Sequence, residues 1–180
     1  LFAYSTIIIS QPLNFYKEKI VIDVQEYFCN LSCNYFFVNN DSLISNTTIL
    51  YPFIVNDSLP FPQKISVKNE NDNTFLKFVK EPMGILFQIH VQPKDTVVIT
   101  VDFTQQTPYK MMEYILTTTS EWKMPLKEAD YIIKLHENLQ LVSSSLGYDS
   151  TKTDNKLSYF YLHKKNFMPD KNLLINWREK

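Results

Sequence analysis

Glycine is nearly missing: Gly84 and Gly147 are the only two in 180 residues, where an average chain of this length carries about 12. Walker-type phosphate loops and dinucleotide fingerprints need closely spaced glycines, so neither can be written here. The nucleophile elbow G-x-S-x-G fails on the same count. Turns must then be built from other residues. Asn-Asp-Ser, Asn-Asn-Asp and Pro-Lys-Asp clusters stand where glycine ordinarily sits.

No sign of charge dominates. There are 18 Lys+Arg against 19 Asp+Glu, for a formal net charge of -1. A nucleic-acid binder shows a basic excess or stripe. The nearest approach, His163-Lys164-Lys165 with Lys171, reads as a solvated rim, and no nucleic-acid partner is expected. No run reaches the ~18 apolar residues of a spanning helix, so no membrane span is expected in this chain. With 44% hydrophobic and 21% charged residues, it is an ordinary folded globular chain able to bury a core.

The first residue is Leu1, and Leu1-Phe2-Ala3 resembles the tail of a small-residue cleavage site, which points to export. Four N-x-[ST] sequons begin at Asn30, Asn40, Asn46 and Asn56. In a chain rich in Asn, Lys and Ile such triplets also arise by chance, and that bias favours a bacterial source.

What the sequence does contain is a succession of short β-rich runs. Lys19 to Phe28 places Ile20, Ile22 and Val24 on one face. Further runs cover 34–38, 47–55, 64–68 and 74–80. Ile85 to Val91 and Val97 to Phe103 each alternate around Gln92-Pro93-Lys94-Asp95, and so predict an antiparallel hairpin. Tyr109 to Thr119 favours a strand over a helix, and Leu126 to Ala129 a single helical turn after Pro125. Runs at 131–135, 139–145, 156–163 and 173–177 read as strands. Lys127 to Leu141 as one helix is the alternative to the first two of them. Asn69 to Asn73 and Asp149 to Asp154 read as polar loops.

This pattern predicts an all-β antiparallel sandwich. Its expected organisation is an immunoglobulin-like N-terminal domain at 1–105 and a smaller β-rich unit at 106–180. One continuous sandwich over 1–180 is the alternative.

Cys29 and Cys33 are the only cysteines. On one straight strand they would stand about 13 Å apart, beyond disulfide reach. A hairpin loop at Asn30-Leu31-Ser32 would instead bring them together as a disulfide. Both the disulfide and free thiols are open readings. C-x3-C with no H-x3-5-H partner does not make a zinc site, and no metal or cofactor is expected.

No catalytic constellation emerges. His90, His136 and His163 fall in separate strand-like runs with no partner at ligand spacing. Glu128 and Asp130 share a strand face. The Glu-x-Asp-x-x-Glu pattern of some β-sandwich glycosidases fails, because Ile133 holds the last acid's place. Aromatic residues are 14% of the chain, and alternation puts Leu157, Tyr159, Tyr161 and His163 on one face. Tyr159, Tyr161 and Trp122 are the candidate ligand-binding residues, because each joins a large apolar surface to a polar handle.

Tyr114-Ile115-Leu116-Thr117, Trp122, Pro125-Leu126, Ala129 and Tyr131-Ile132-Ile133 form one series. Phe167-Met168-Pro169, the terminal run Leu173 to Trp177 and the earlier Tyr51-Pro52-Phe53 complete it. Over about half of the chain this series resembles exported bacterial β-sandwich proteins of unknown function. The resemblance implies an extracytoplasmic location (secreted, periplasmic or cell surface) and carries over no catalytic residue. The expected function is non-enzymatic: surface contact with a protein or cell-envelope component, through edge strands and exposed aromatics. The alternative is a carbohydrate-binding module that stacks sugars on the same aromatics.

Overall fold

The computed structural model describes residues 13–180; Leu1-Phe2-Ala3 lies outside the described residues. The strands are β1 (Leu13–Val24), β2 (Phe28–Asn39), β3 (Ser45–Pro52), β4 (Gln63–Asn69), β5 (Thr74–Phe75), β6 (Phe78–Glu81) and β7 (Gly84–Val91). They continue as β8 (Thr96–Gln106), β9 (Met111–Tyr114), β10 (Leu126–His136), β11 (Leu139–Ser144), β12 (Ser150–Asp154), β13 (Leu157–Phe167) and β14 (Leu173–Glu179). The one helical element among the described residues is a 3-10 turn at Thr117–Trp122.

The fold is an all-β sandwich. An eight-stranded sheet, in the order β12-β13-β10-β1-β2-β8-β4-β5, forms one layer. Its apolar face is covered by two three-stranded sheets, β3-β7-β6 and β11-β14-β9. Alternation explains the layering. Ile20, Ile22 and Val24 of β1, Val97, Ile99, Val101 and Phe103 of β8, and Tyr131, Ile133 and Leu135 of β10 all point inward and are buried. Ile85, Phe87 and Ile89 meet them from the second sheet, and Met112, Ile175 and Trp177 from the third. Each such side chain contributes about 1.5–3 kcal/mol by leaving water.

All neighbours in the large sheet are antiparallel except β1 and β10, which run parallel from Lys17–Glu128 to Val24–Leu135. This pair carries the large sheet, and with it the core, across the boundary drawn at 105/106.

Several local expectations are corrected. The runs at 85–91 and 97–103 are strands, but they do not form a hairpin. β7 pairs with β3 and β6, whereas β8 pairs with β2 and β4. Gln92 to Asp95 crosses from one layer to the other. The Asn39 side-chain amide braces this crossing, donating to the carbonyls of Leu43 at 2.8 Å, Val91 at 3.0 Å and Gln92 at 3.1 Å. Both strands alternate because both face the same core, from opposite sides.

Residues 126–136 form the strand β10, not a helical turn or a long helix; β1 and β13 hold it on both edges. The run at 109–119 divides into β9 and the 3-10 turn, where Asn172 Oδ1 accepts from the Leu116 amide at 3.1 Å. Asp149 to Asp154 is not all loop, since residues 150–154 are β12.

The hairpin disulfide is also overturned. Cys29 and Cys33 lie in one continuous strand, β2, as free, buried thiols. The turn after β1 comes earlier, at residues 25–27, where the Gln25 amide donates to the Phe28 carbonyl at 2.9 Å. Four residues of extended strand hold the sulfurs out of bonding range.

Candidate functional site

The outward face of the large sheet near β12 gathers the chemistry. β13 pairs with β10 on one side and β12 on the other, so that Tyr161 lies between Ile132 and Ser150, and Tyr159 between Lys134 and Lys152. Alternation along β13 brings Tyr159, Tyr161 and His163 to this face. Their backs, Phe160 and Leu162, turn toward the core. Tyr159 and Tyr161 are half-buried, with ring centroids 6.2 Å apart and planes 11° from parallel. The two rings thus lie near parallel and side by side on this face, each partly exposed.

One step along β13, His163 stands opposite Asp130. His163 Nδ1 is 2.7 Å from Asp130 Oδ1. An ionised carboxylate only accepts, so Nδ1 carries the proton in this contact. The His163 amide donates to Asp149 Oδ2 at 2.7 Å, and the Asp149 amide donates to the Tyr161 carbonyl at 2.7 Å. Lys19, exposed on β1, completes the surround. These side chains, with Ser150 and Ile132, line a shallow depression of about 320 Å³. That is the lower end of the size of small-ligand sites.

Glu128 and Asp130 do share this face, as their spacing predicts, but each carboxylate has a basic partner. Glu128 accepts from Lys17 Nζ at 2.7 Å, and this contact holds its carboxyl below the ordinary range. Asp130 is tied to His163.

Trp122 is not part of this surface. It closes the 3-10 turn with its ring against Phe15 (6.0 Å) and Phe37 (5.5 Å), both of which are buried. The indole is half-buried, packed against the core and away from the Tyr159–Tyr161 face. His90 and His136 lie elsewhere. His90 is bonded to Asn46, and His136 Nε2 sits 2.6 Å from Gln25 Nε2. The His163–Asp130–Asp149 grouping has no signature in the sequence, because strand register alone brings residues 33 apart together. What alternation could supply was the shared face of Tyr159, Tyr161 and His163. Among the described residues no group of three His, Cys, Asp or Glu is placed to hold a metal ion, and no helix is long and apolar enough to cross a membrane.

No protein-family model matches this chain, and no curated protein matches its sequence. Solved structures do match its shape. One is a Legionella pneumophila protein described as a candidate nutrient-binding protein. It is 14% identical with a TM-score of 0.74, over 94% of this chain and 68% of that one. Another is an M1 zinc metallopeptidase of Deinococcus radiodurans. It is 8% identical with a TM-score of 0.56, over 92% of this chain and 42% of the peptidase. The chain thus spans less than half the peptidase's length. The zinc-peptidase signature H-E-x-x-H occurs nowhere in its 180 residues. At these identities the likeness establishes the shared sandwich fold.

Proposed function

We propose that this protein is a non-enzymatic, extracytoplasmic binding protein of bacterial origin. Its contact surface is the outward face of the large sheet around Tyr159 and Tyr161, and its partner is a protein or cell-envelope component. The observation that carries this reading is the stacked tyrosine pair, held half-exposed beside a depression rimmed by Lys19, Asp130, Asp149 and His163. Tyrosine faces supply contact area at low entropic cost, and the rim supplies polar specificity. Glu128, held below its ordinary range by Lys17, is poorly suited to act as a general acid. A binding role is supported by the Legionella neighbour, described as a candidate nutrient-binding protein.

The depression favours a second reading, carbohydrate binding. A sugar ring would stack on the exposed part of Tyr161, with Asp130, Asp149 and Lys19 reaching its hydroxyls.

One experiment separates the two. The wild type and the Tyr159→Ala/Tyr161→Ala variant are screened on a glycan array and for site-specific crosslinking to envelope proteins. A crosslinked protein partner that the double variant loses, with no glycan bound, supports the first reading. Tyrosine-dependent glycan binding supports the second. If the double variant behaves as wild type in both assays, while Val79→Ala on the far layer does not, the surface is misassigned.

A further inference from the structure

Among the described residues β12 is the terminal strand of the large sheet, and all five of its residues are exposed. At the opposite end of that sheet, β5 is only two residues long. A terminal strand leaves one row of backbone N–H and C=O groups without a sheet partner, and such a row can be extended by another strand. What flanks β12 also bears on a ligand. On the outward face its neighbours are Tyr161 and Tyr159. On the other face Thr151 pairs with Phe160, whose ring meets that of the half-exposed Tyr148 at 5.1 Å. An added strand would therefore find aromatic surface on both sides of its backbone.

The charge pattern limits what that strand can be. Lys152, Tyr159 and Lys134 form one cross-strand row, with a lysine on each strand beside Tyr159. A second copy of this chain pairing antiparallel along all five residues would set Lys152 directly against Lys152. Like charges opposite one another are destabilising. An acidic side chain in the same position would instead complete the row.

We infer that the free edge of β12 receives an extended peptide segment of a partner protein. This segment places an acidic residue opposite Lys152 and apolar residues at the alternating positions above Phe160 and Tyr148. The inference rests on the protein-partner reading above and specifies how that partner is held. The backbone pairing provides the anchor, the tyrosines add contact area, and Lys152 selects the sequence.

The probe is a blocked nine-residue peptide with glutamate at its centre, threonine at the other odd positions and valine at the even ones. A second peptide carries lysine at the centre. Both are titrated into the full-length protein and followed by amide chemical shifts and hydrogen exchange. The expected result is protection of β12 amides by the glutamate peptide, with shifts confined to β12 and β13. It should bind about fivefold more tightly than the lysine peptide. Lys152→Glu, a surface change, should reverse that preference. Equal binding of the two peptides, shifts mapping elsewhere, or no binding of either at millimolar concentration would each overturn strand addition. If a protein partner is still lost in the Tyr159→Ala/Tyr161→Ala variant after such a result, the contact surface stands and only this mode of holding fails.

Discussion

The Tyr35 hydroxyl donates to the Tyr51 hydroxyl at 2.8 Å, joining the large sheet to β3 in the facing layer. Tyr114 of β9 meets both hydroxyls, that of Tyr51 at 3.2 Å. One tyrosine from each of the three sheets thus ends at the same buried point. Burial pushes all three phenols well above their ordinary range, so they act as neutral donors and acceptors throughout the physiological range. Removing one hydroxyl strands its partners in the core. Tyr35→Phe, Tyr51→Phe and Tyr114→Phe should each cost about 1–2 kcal/mol in urea unfolding. The pairwise double variants should cost less than the sum, because the second change removes a group already unpaired. Strict additivity would show that the three hydroxyls do not act as one unit.

Glu18 continues the inward face of β1 and is buried beside this junction, where the Tyr131 hydroxyl donates to its carboxylate. Burial raises its pKa to about 7 from an ordinary 4.5, and the Tyr131 bond only partly opposes this. Between those two values the folded protein keeps a proton that the unfolded chain has released. Stability from this group is therefore fully present below about pH 4.5, falls as pH rises, and levels off above about pH 7. The loss over that window is on the order of 3 kcal/mol. Glu18→Gln cannot ionise, so its urea midpoint should lack this component of the slope and exceed that of the wild type at pH 8. Parallel wild-type and variant curves from pH 4.5 to 8 would refute the assignment.

Cys29 and Cys33 should behave as inert core groups. Burial pushes the Cys33 thiol up to about 12, and the Cys29 thiol is raised for the same reason. At neutral pH neither presents a thiolate, the form that reacts. Iodoacetamide should leave the native protein unmodified and add two groups after denaturation. Dithiothreitol should not move the unfolding midpoint. A native mass already two hydrogens short, with no alkylation even when unfolded, would restore the disulfide.

Much of the architecture can be read from the sequence, because a period of two marks one buried face wherever it occurs. The inward sets of β1, β7 and β8 stand in plain alternation, and so does the outward set Tyr159, Tyr161 and His163. Alternation does not say which strand lies alongside. That is why Ile85 to Val91 and Val97 to Phe103 suggest a hairpin yet lie in different layers. β12 escapes the pattern for another reason: Ser150 to Asp154 is polar on both sides, as an exposed edge is free to be. The site needs the most distant information. His163 meets Asp130, and Tyr131 meets Glu18, only because β10 is held between β13 and the parallel β1.

The scarcity of glycine has a structural counterpart that can be tested. Left-handed backbone positions are taken by Lys64, Asn73, Lys94, Lys110, Lys123, Asn155 and Asn166, with Gly147 the one glycine among them. Gly84 serves a different need. It is buried at the start of β7 opposite Pro52, and a Cβ there would lie 2.5 Å from the Tyr51 carbonyl oxygen. That atom belongs to the backbone of β3, so relief requires moving a strand rather than rotating a side chain. Gly84→Ala should destabilise the protein by about 1–3 kcal/mol, the range for overpacking a core. Gly147→Ala, where nothing lies within 4 Å of the added carbon, tests the other constraint: its φ of +70°. It should cost about 1 kcal/mol through backbone strain alone. Because Gly84 presses on the carbonyl of Tyr51, its substitution should also perturb the Tyr51 hydroxyl contacts with Tyr35 and Tyr114, and the change at Gly147 should not. Near-ultraviolet circular dichroism reports tyrosine packing directly. An unchanged spectrum in Gly84→Ala with a wild-type melting temperature would show that the close approach of β3 and β7 does not constrain the core.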